Sequence, residues 1–195
     1  MYRKEDNYMK RKSLVIGLLL GTIVFTGCSK GLTAVGNNTM TIDKDGKIQD
    51  VSVEDFSNGN YDMGSLEQFI NDEIEKYNTE AGSDSIIMEQ LETENKLVKL
   101  RLSYSGMDDY NSFNNTEYKL GNLADVKLSG NLTTVADGST VAAKDIEDKN
   151  YRVLQVTDSM DITFKGKALY YNSYVTVADG VFTSDGKGTA VIIFK

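Results

Sequence analysis

Apolar residues recur at helical spacing in one long segment of the chain. They are three or four positions apart, which places them on one face of an α-helix. The residues on this face are Leu66, Phe69, Ile70, Ile74 and Tyr77. The segment opens with Ser65-Leu66-Glu67-Gln68, which fits a capping box at a helix N-terminus. The pattern predicts a long helix over residues 65–78, with these five side chains on one face.

Alternating apolar and polar positions predict strands on both sides of this helix. Two short runs within residues 39–53 flank Asp43-Lys44-Asp45-Gly46, which is typical of a hairpin. Residues 86–91 and 97–104 flank a second turn at 92–95. Within residues 97–104 every second residue from Val98 onward is apolar, as expected of a strand with one solvent-exposed face.

Shorter elements and loops are predicted further along the chain. Residues 107–114 fit a short helix capped at Ser105, with Met107, Tyr110 and Phe113 on its buried side. A further helical turn is predicted at 123–128. Residues 129–150 are polar and contain glycine, which indicates long connecting loops.

The last part of the chain is rich in Tyr, Val, Thr and Ile between Asp-Gly and Lys-Gly turns. Residues 151–157, 161–164, 168–177 and 189–194 are predicted to form an antiparallel meander. Together the elements predict an α+β fold. We expect an antiparallel sheet with one long and one or two short helices packed on it, in a single domain spanning residues 39–195.

The N-terminal residues have the pattern of an export signal. Lys10-Arg11-Lys12 precedes an apolar run over residues 14–25, which is followed by small residues. A membrane-spanning helix needs about 20 apolar residues to cross roughly 30 Å of hydrocarbon. The run is shorter, so we expect residues 1–27 to be removed as a signal peptide. Met9 starts a complete signal by itself, so translation from either Met1 or Met9 fits the sequence.

The signal ends in Phe25-Thr26-Gly27-Cys28, which resembles the lipobox of bacterial lipoproteins. The resemblance implies that the sulfur of Cys28 receives a diacylglyceryl group and that the signal is cut before this residue. It also implies a cell-membrane location, with the protein lipid-anchored on the extracytoplasmic face. Phe25 is a less usual first residue of the motif. Residues 28–38 would then be the lipidated cysteine and a flexible tether, which is small, polar and glycine-containing.

Composition excludes several classes of function. The chain has 195 residues, no histidine, tryptophan or proline, and Cys28 as its single cysteine. This excludes internal disulfides, the usual Cys/His zinc sites and catalysis by imidazole or thiol. Without the signal the chain has 16 basic and 27 acidic residues, a net charge of −11. Such an acidic surface repels nucleic acid, so we expect no nucleic-acid partner. The sequence has no phosphate loop and no dinucleotide glycine fingerprint, and we expect no cofactor.

A second resemblance covers most of residues 40–195. The segment 66–78, the passage 98–114 with its Met107-Asp108-Asp109-Tyr110 sequence, and the closing strands together resemble uncharacterised lipoproteins of gut Firmicutes. The resemblance implies an envelope location and a compact α+β domain. It supplies no catalytic residue.

Several acidic and serine motifs are better explained by structure than by chemistry. The four Asp-Gly turns do not fit the ligand spacing of an EF-hand loop, so we expect hairpin turns and no metal site. The pair Asp108 and Asp109 is favoured at the first turn of a helix by the helix dipole. Asp158 and Asp161 are interpreted as solvated turn residues. Ser184-Asp185-Gly186-Lys187 has the serine-x-x-lysine spacing of penicillin-interacting enzymes but lacks their partner motifs.

Tyrosines offer the best candidate for a binding face. Tyr170, Tyr171 and Tyr174 are the densest group. Adjacent strand residues point to opposite sides of a sheet, so we expect one of Tyr170 and Tyr171 at the surface. The preferred hypothesis is a non-enzymatic lipoprotein that binds either a protein partner or a cell-wall or small-molecule ligand. The alternative is a carboxylate-dependent, metal-assisted hydrolase of the cell envelope. A third hypothesis is an accessory subunit of an envelope complex.

Overall fold

The computed structural model describes residues 31–57, 62–146 and 150–195. The chain in these ranges forms strands, two α-helices and short 3₁₀ helices at Leu32–Ala34, Leu123–Asp125 and Ala143–Asp145. In chain order the strands and α-helices are β1 (Thr39–Ile42), β2 (Ile48–Asp55), α1 (Met63–Ala81), β3 (Ile86–Glu94), β4 (Leu97–Tyr104), α2 (Met107–Asn114), β5 (Lys119–Asn122), β6 (Asn131–Thr134), β7 (Thr140–Ala142), β8 (Arg152–Val156), β9 (Ser159–Phe164), β10 (Ala168–Tyr171), β11 (Val175–Ala178), β12 (Val181–Asp185) and β13 (Ala190–Phe194).

The fold is broadly α+β, but its strands form two sheets instead of the one that the sequence predicts. The seven-stranded sheet has the order β11-β12-β9-β1-β2-β4-β3, and the six-stranded sheet has the order β5-β8-β13-β10-β6-β7. The strands β1 and β9 pair in parallel, whereas β1 and β2 form the expected antiparallel hairpin. The expected antiparallel sheet therefore contains one parallel pair. The antiparallel meander predicted for residues 151–194 is also wrong, because its strands divide between the two sheets instead of pairing in chain order.

Asn172 shows why residues 168–177 do not form one strand. Its amide donates a hydrogen bond to the carbonyl of Thr189 and its side-chain oxygen accepts from the backbone of Val191. The backbone N–H of Val175 bonds back to the carbonyl of Asn172, which closes a turn. The chain leaves the six-stranded sheet at the end of β10 and enters the seven-stranded sheet as β11. Between the two strands the side chain of Asn172 supplies hydrogen-bond partners for backbone groups of Thr189 and Val191.

The main hydrophobic core draws side chains from both sheets and both helices. Phe164 of β9 and Phe194 of β13 meet across the two sheets with ring centroids 4.5 Å apart. A second cluster around Leu132, Val153 and Ile193 covers the other side of the six-stranded sheet. The strand β13 is buried on both sides, which explains its uninterrupted apolar sequence. We call the side of the seven-stranded sheet that faces the main core its inner face, and the opposite side its outer face.

The helix α1 begins earlier than predicted and buries a narrower face. Asp62, not Ser65, is the N-cap: its carboxylate accepts hydrogen bonds from the backbone and hydroxyl of Ser65. Ile74 is buried, but Phe69 is 61% exposed. At 100° per residue Phe69 lies about 140° around the helix from Ile74, outside the stripe that contacts β3. Phe69 therefore does not share the buried side of the helix with Ile74.

Two further segments differ from the expected loops and tether. Residues 129–150 contain the hairpin of β6 and β7 and a 3₁₀ helix, which together support the second core cluster. The segment contributes only a few apolar side chains to this cluster, so its polar composition gave no sign that it belongs to a core. The segment expected to be a flexible tether contains the 3₁₀ helix Leu32–Ala34, in which Leu32 is fully buried.

Candidate functional site

A carboxylate, Asp50, lies inside the main core. It pairs directly with Met40 of β1 and Leu102 of β4, so its side chain is on the inner face of the sheet. The residue is 7% exposed, and the hydroxyl of Ser52 donates a hydrogen bond to it at 2.9 Å. Burial raises the pKa of Asp50 to about 6, although the bond from Ser52 acts in the opposite direction. Carboxylates with a raised pKa occur at many functional sites and also at purely structural positions.

Three tyrosines lie around Asp50. The ring of Tyr104 on β4 meets that of Tyr110 on α2 with centroids 5.0 Å apart. Tyr110 in turn stacks on Tyr118, with centroids 5.8 Å apart. Burial raises the pKa of all three phenols, and the negative charge of Asp50 raises each further. All three therefore remain neutral hydroxyls at physiological pH.

A tight loop after α2 holds Tyr118 in place. The helix ends at Asn115, which adopts a left-handed conformation with φ 53°. The side-chain oxygen of Asn111 accepts a hydrogen bond from the backbone N–H of Tyr118, and its amide donates to the carbonyl of the same residue. The hydroxyl of Thr116 bonds to the same oxygen at 2.8 Å. These bonds fix the path of the chain from α2 into β5.

The hydroxyl of Tyr118 donates a hydrogen bond to the carboxylate of Asp158, which lies between β8 and β9. These two residues form part of the lining of a polar cleft of about 470 Å³. The lining combines amide, hydroxyl and charged groups of both signs. Its members are Asn115, Thr116, Glu117, Tyr118, Lys119, Gln155, Thr157, Asp158 and Thr189. We call this surface the polar cleft. It offers many hydrogen-bond donors and acceptors for a polar ligand.

Sequence reasoning missed the residues of this site. Asp158 is exposed in the turn between β8 and β9, as predicted, but the sequence did not indicate that it accepts a hydrogen bond from the buried Tyr118. In β2, strand alternation places Asp50 on the same side as Ile48, whereas Val51 and Val53 are on the other side. Asp50 is two positions from the apolar Ile48 and so lies on the same side of the strand, which was the sequence signal for a buried carboxylate. The apolar residues on both sides of the strand made that signal ambiguous.

The three tyrosines proposed as a binding face are not brought together. Tyr170 packs against the second core cluster with its ring 6.4 Å from that of Tyr151. Tyr171 packs against the main core, where its ring lies 6.2 Å from that of Phe182. Tyr174 is 39% exposed and lies against Gly188. Tyr170 and Tyr171 point to opposite sides, as alternation predicts, but both are half-buried because both sides of the sheet are covered.

The other sequence candidates occupy ordinary structural positions. Asp108 and Asp109 lie in the first turn of α2, and Asp109 accepts a hydrogen bond from the hydroxyl of Tyr77 at 3.1 Å. Ser184 is fully buried in β12, and its hydroxyl has no hydrogen-bond partner. It is therefore not at the start of a helix, where a serine-x-x-lysine nucleophile would be. The lipidation candidate Cys28 lies outside the described residues.

The described residues contain no group of three or more acidic side chains placed to hold a metal ion. In the same part of the chain no helix combines the length and apolar character needed to cross a bilayer. Comparisons with protein-family models, with curated proteins and with solved structures find no match to this chain.

Proposed function

We propose that this protein is a lipoprotein anchored on the extracytoplasmic face of the cell membrane, with a folded domain that binds a partner and does no catalysis. The observation that carries the proposal is Phe25-Thr26-Gly27-Cys28 at the end of an apolar run with basic residues before it. One acyl chain would give marginal anchoring, whereas two chains, at about 0.8 kcal/mol per buried methylene, give a stable anchor.

The test of the anchor is mass spectrometry of the protein extracted from membranes of a producing bacterium. The expected species begins at Cys28 and carries the added mass of a diacylglyceryl group. The variant Cys28→Ser is the matched control, because it removes the sulfur and leaves the signal intact. A protein with an unmodified Cys28, or one that keeps its signal, would contradict the proposal.

The proposal includes a single folded domain over residues 39–195. Its support is the main core cluster, which takes side chains from both sheets and both helices. Elements that share one core are expected to unfold together. Calorimetry of the purified lipoprotein in detergent should show one transition. Two transitions that respond separately to Ile74→Ala on α1 and Val153→Ala on β8 would contradict it.

The polar cleft is the proposed binding site, and a polar cell-wall fragment is the proposed ligand. Asn115, Gln155 and Thr157 offer amide and hydroxyl groups, while Lys119 and Asp158 offer both signs of charge. Glycan hydroxyls and peptide amides need this mixture of donors and acceptors. Titration calorimetry with soluble muropeptides should show binding that Gln155→Ala weakens at least several-fold. Glu75→Ala on the exposed side of α1 is the matched control, and equal binding by both variants would reject the site.

One observation favours the alternative of a hydrolase. Glu117 and Asp158 line the same cleft, and two carboxylates are the equipment for acid–base hydrolysis that this composition leaves. Incubation with purified peptidoglycan distinguishes the two functions. Release of soluble fragments by the unaltered protein, lost in Glu117→Gln, would favour the hydrolase over the binding domain.

A further inference from the structure

The segment before β1, residues 32–38, is bonded to the outer face of the seven-stranded sheet through its first residue, Leu32. Lys99 pairs directly with Val53 and Glu92, out of phase with Leu102, so its side chain is on the outer face. Its ammonium donates a hydrogen bond to the carbonyl of Leu32 at 3.1 Å. Leu32 is 0% exposed and Lys99 is 3% exposed. The contact is therefore a buried one.

The other end of this segment is fixed as well. The side-chain oxygen of Asn38 accepts a hydrogen bond from the backbone N–H of Val53 at 2.8 Å. The carbonyl of Asn38 accepts from the backbone of Asp161, and the amide of Asn37 donates to the carboxylate of Asp161 at 3.1 Å. Since both ends are bonded to the sheet, residues 32–38 add little to the reach of a membrane anchor.

These contacts lie at one end of the seven-stranded sheet. Thr39 of β1 pairs with Asp161 of β9 where both strands begin, and Asp55 at the end of β2 pairs with Leu97 at the start of β4. The turn between β3 and β4 is at the same end, because Glu94 also pairs with Leu97. We call this end of the sheet the tether end. The hairpin turn between β1 and β2 is at the opposite end, about 25 Å away along β2.

Chain length then limits how far the domain stands from its membrane. Three residues separate Cys28 from Leu32. Four steps along an extended chain span at most about 14 Å, compared with roughly 35 Å for a free ten-residue tether. We infer that the tether end lies directly on the surface of the lipid bilayer that holds the anchor. This inference rests on the proposed lipidation of Cys28.

The orientation of the tether end toward the bilayer also determines where the polar cleft lies. Asp158 lines the cleft and immediately precedes β9, which begins at the tether end. The cleft therefore lies beside the bilayer surface, and its ligand is bound in the layer next to the membrane. The negative charge of the domain would repel an anionic bilayer, so the contact is imposed by the short tether and not by attraction to headgroups.

Tryptophan reporters test the orientation, because the natural chain contains no tryptophan. Ser57→Trp places one at the tether end, where the neighbouring Phe56 bonds to the carbonyl of Lys96. Lys44→Trp places the matched control in the exposed turn at the opposite end. Each lipoprotein is purified from membranes and reconstituted in phosphatidylcholine vesicles containing brominated phosphatidylcholine, which quenches tryptophan near the bilayer.

The emission of the Ser57→Trp protein should be strongly quenched, and that of the Lys44→Trp protein should be nearly unchanged. Adding Lys99→Met removes the hydrogen bond that holds Leu32 to the sheet, so quenching at position 57 should fall toward that at position 44. Equal quenching of both reporters in a protein with an acylated Cys28 would overturn the orientation alone. A mass spectrum of the same sample that shows no acyl group would overturn both the orientation and the lipoprotein assignment.

Discussion

The ammonium nitrogen of Lys99 and the carbonyl oxygen of Leu32 are 3.1 Å apart, although the two residues are 67 positions apart in the chain. The same ammonium lies 3.2 Å from a carboxylate oxygen of Glu94. A buried ammonium is unfavourable unless it is paired and hydrogen-bonded. Here one partner is the segment that precedes the first strand, so the pairing of Lys99 fixes that segment to the body of the protein.

Replacing Lys99 with methionine should weaken this attachment. The variant keeps most of the side-chain volume but leaves the buried carbonyl of Leu32 without its donor, which costs about 1–3 kcal/mol. Urea unfolding should show a free energy of unfolding lower by that amount. Lys96→Met in the exposed neighbouring turn is the control and should change it by less than about 0.5 kcal/mol. Equal free energies of unfolding for the two variants would show that the contact between Lys99 and Leu32 does not stabilise the fold.

Asp50 should make stability depend on pH. Its pKa is about 6 in the folded protein, whereas the ordinary pKa of an aspartate is 3.8. Folding therefore favours the protonated form, and its stabilising contribution is complete below about pH 4 and lost as the pH rises through about 6. The difference amounts to about 3 kcal/mol at most.

Asp50→Asn removes this titration and tests the prediction. Urea unfolding across pH 4 to 8 should show the variant gaining stability relative to the natural protein as the pH rises. Asp55→Asn at the exposed end of β2 is the control, since the Ser57 hydrogen bonds lower the pKa of Asp55 and its effect has the opposite sign. A constant difference between Asp50→Asn and the natural protein would argue against a raised pKa.

Tyr118 should link the stability of the core to the polar cleft. Tyr118→Phe keeps the ring that stacks on Tyr110 but removes the hydroxyl that donates to Asp158. Loss of a hydrogen bond to a carboxylate costs about 1.5–3 kcal/mol, with the lower end expected because Asp158 is exposed. Tyr174→Phe at the exposed tyrosine is the control. If thermal unfolding of the two variants were indistinguishable, the bond would have no structural role.

The buried stripe of α1 can be tested with two substitutions on the same helix. Ile74 is buried in the main core, so Ile74→Ala should lower the free energy of unfolding by about 2–5 kcal/mol. Phe69→Ala should change it by less than about 0.5 kcal/mol, because that ring is exposed. Chemical denaturation measures both. A larger loss in Phe69→Ala than in Ile74→Ala would mean that the helix is rotated on its sheet.

Local patterns predicted those elements whose signal lies within a few neighbouring residues. The hairpin of β1 and β2, the strand β4 and the two α-helices follow from alternation, helical spacing and turn residues. The missed strand β12 and the hairpin of β6 and β7 are short and polar, and they are held by pairing with distant strands. Their strand conformation depends on partners far along the chain, which a local pattern does not contain.

The candidate site illustrates the same division. Asp50, Tyr104 and Tyr118 come from separate segments and are near enough for the charge of Asp50 to act on both phenols only because β2 pairs with β4 and the chain turns back after α2. The predicted group of Tyr170, Tyr171 and Tyr174 is close in sequence, but strand geometry and the break at Asn172 separate its members. Closeness in sequence was a poor guide to closeness in space.

By itself the sequence determined the local conformations and the chemical limits: helical and extended segments, an acidic composition without histidine, and a single cysteine after an apolar run. These are properties of individual residues and their near neighbours. The tertiary structure decided the parallel pairing of β1 with β9, the burial of Asp50 and the attachment of Leu32 to Lys99. Those features depend on desolvation and on hydrogen bonds between distant segments, and these exist only when the whole core has assembled.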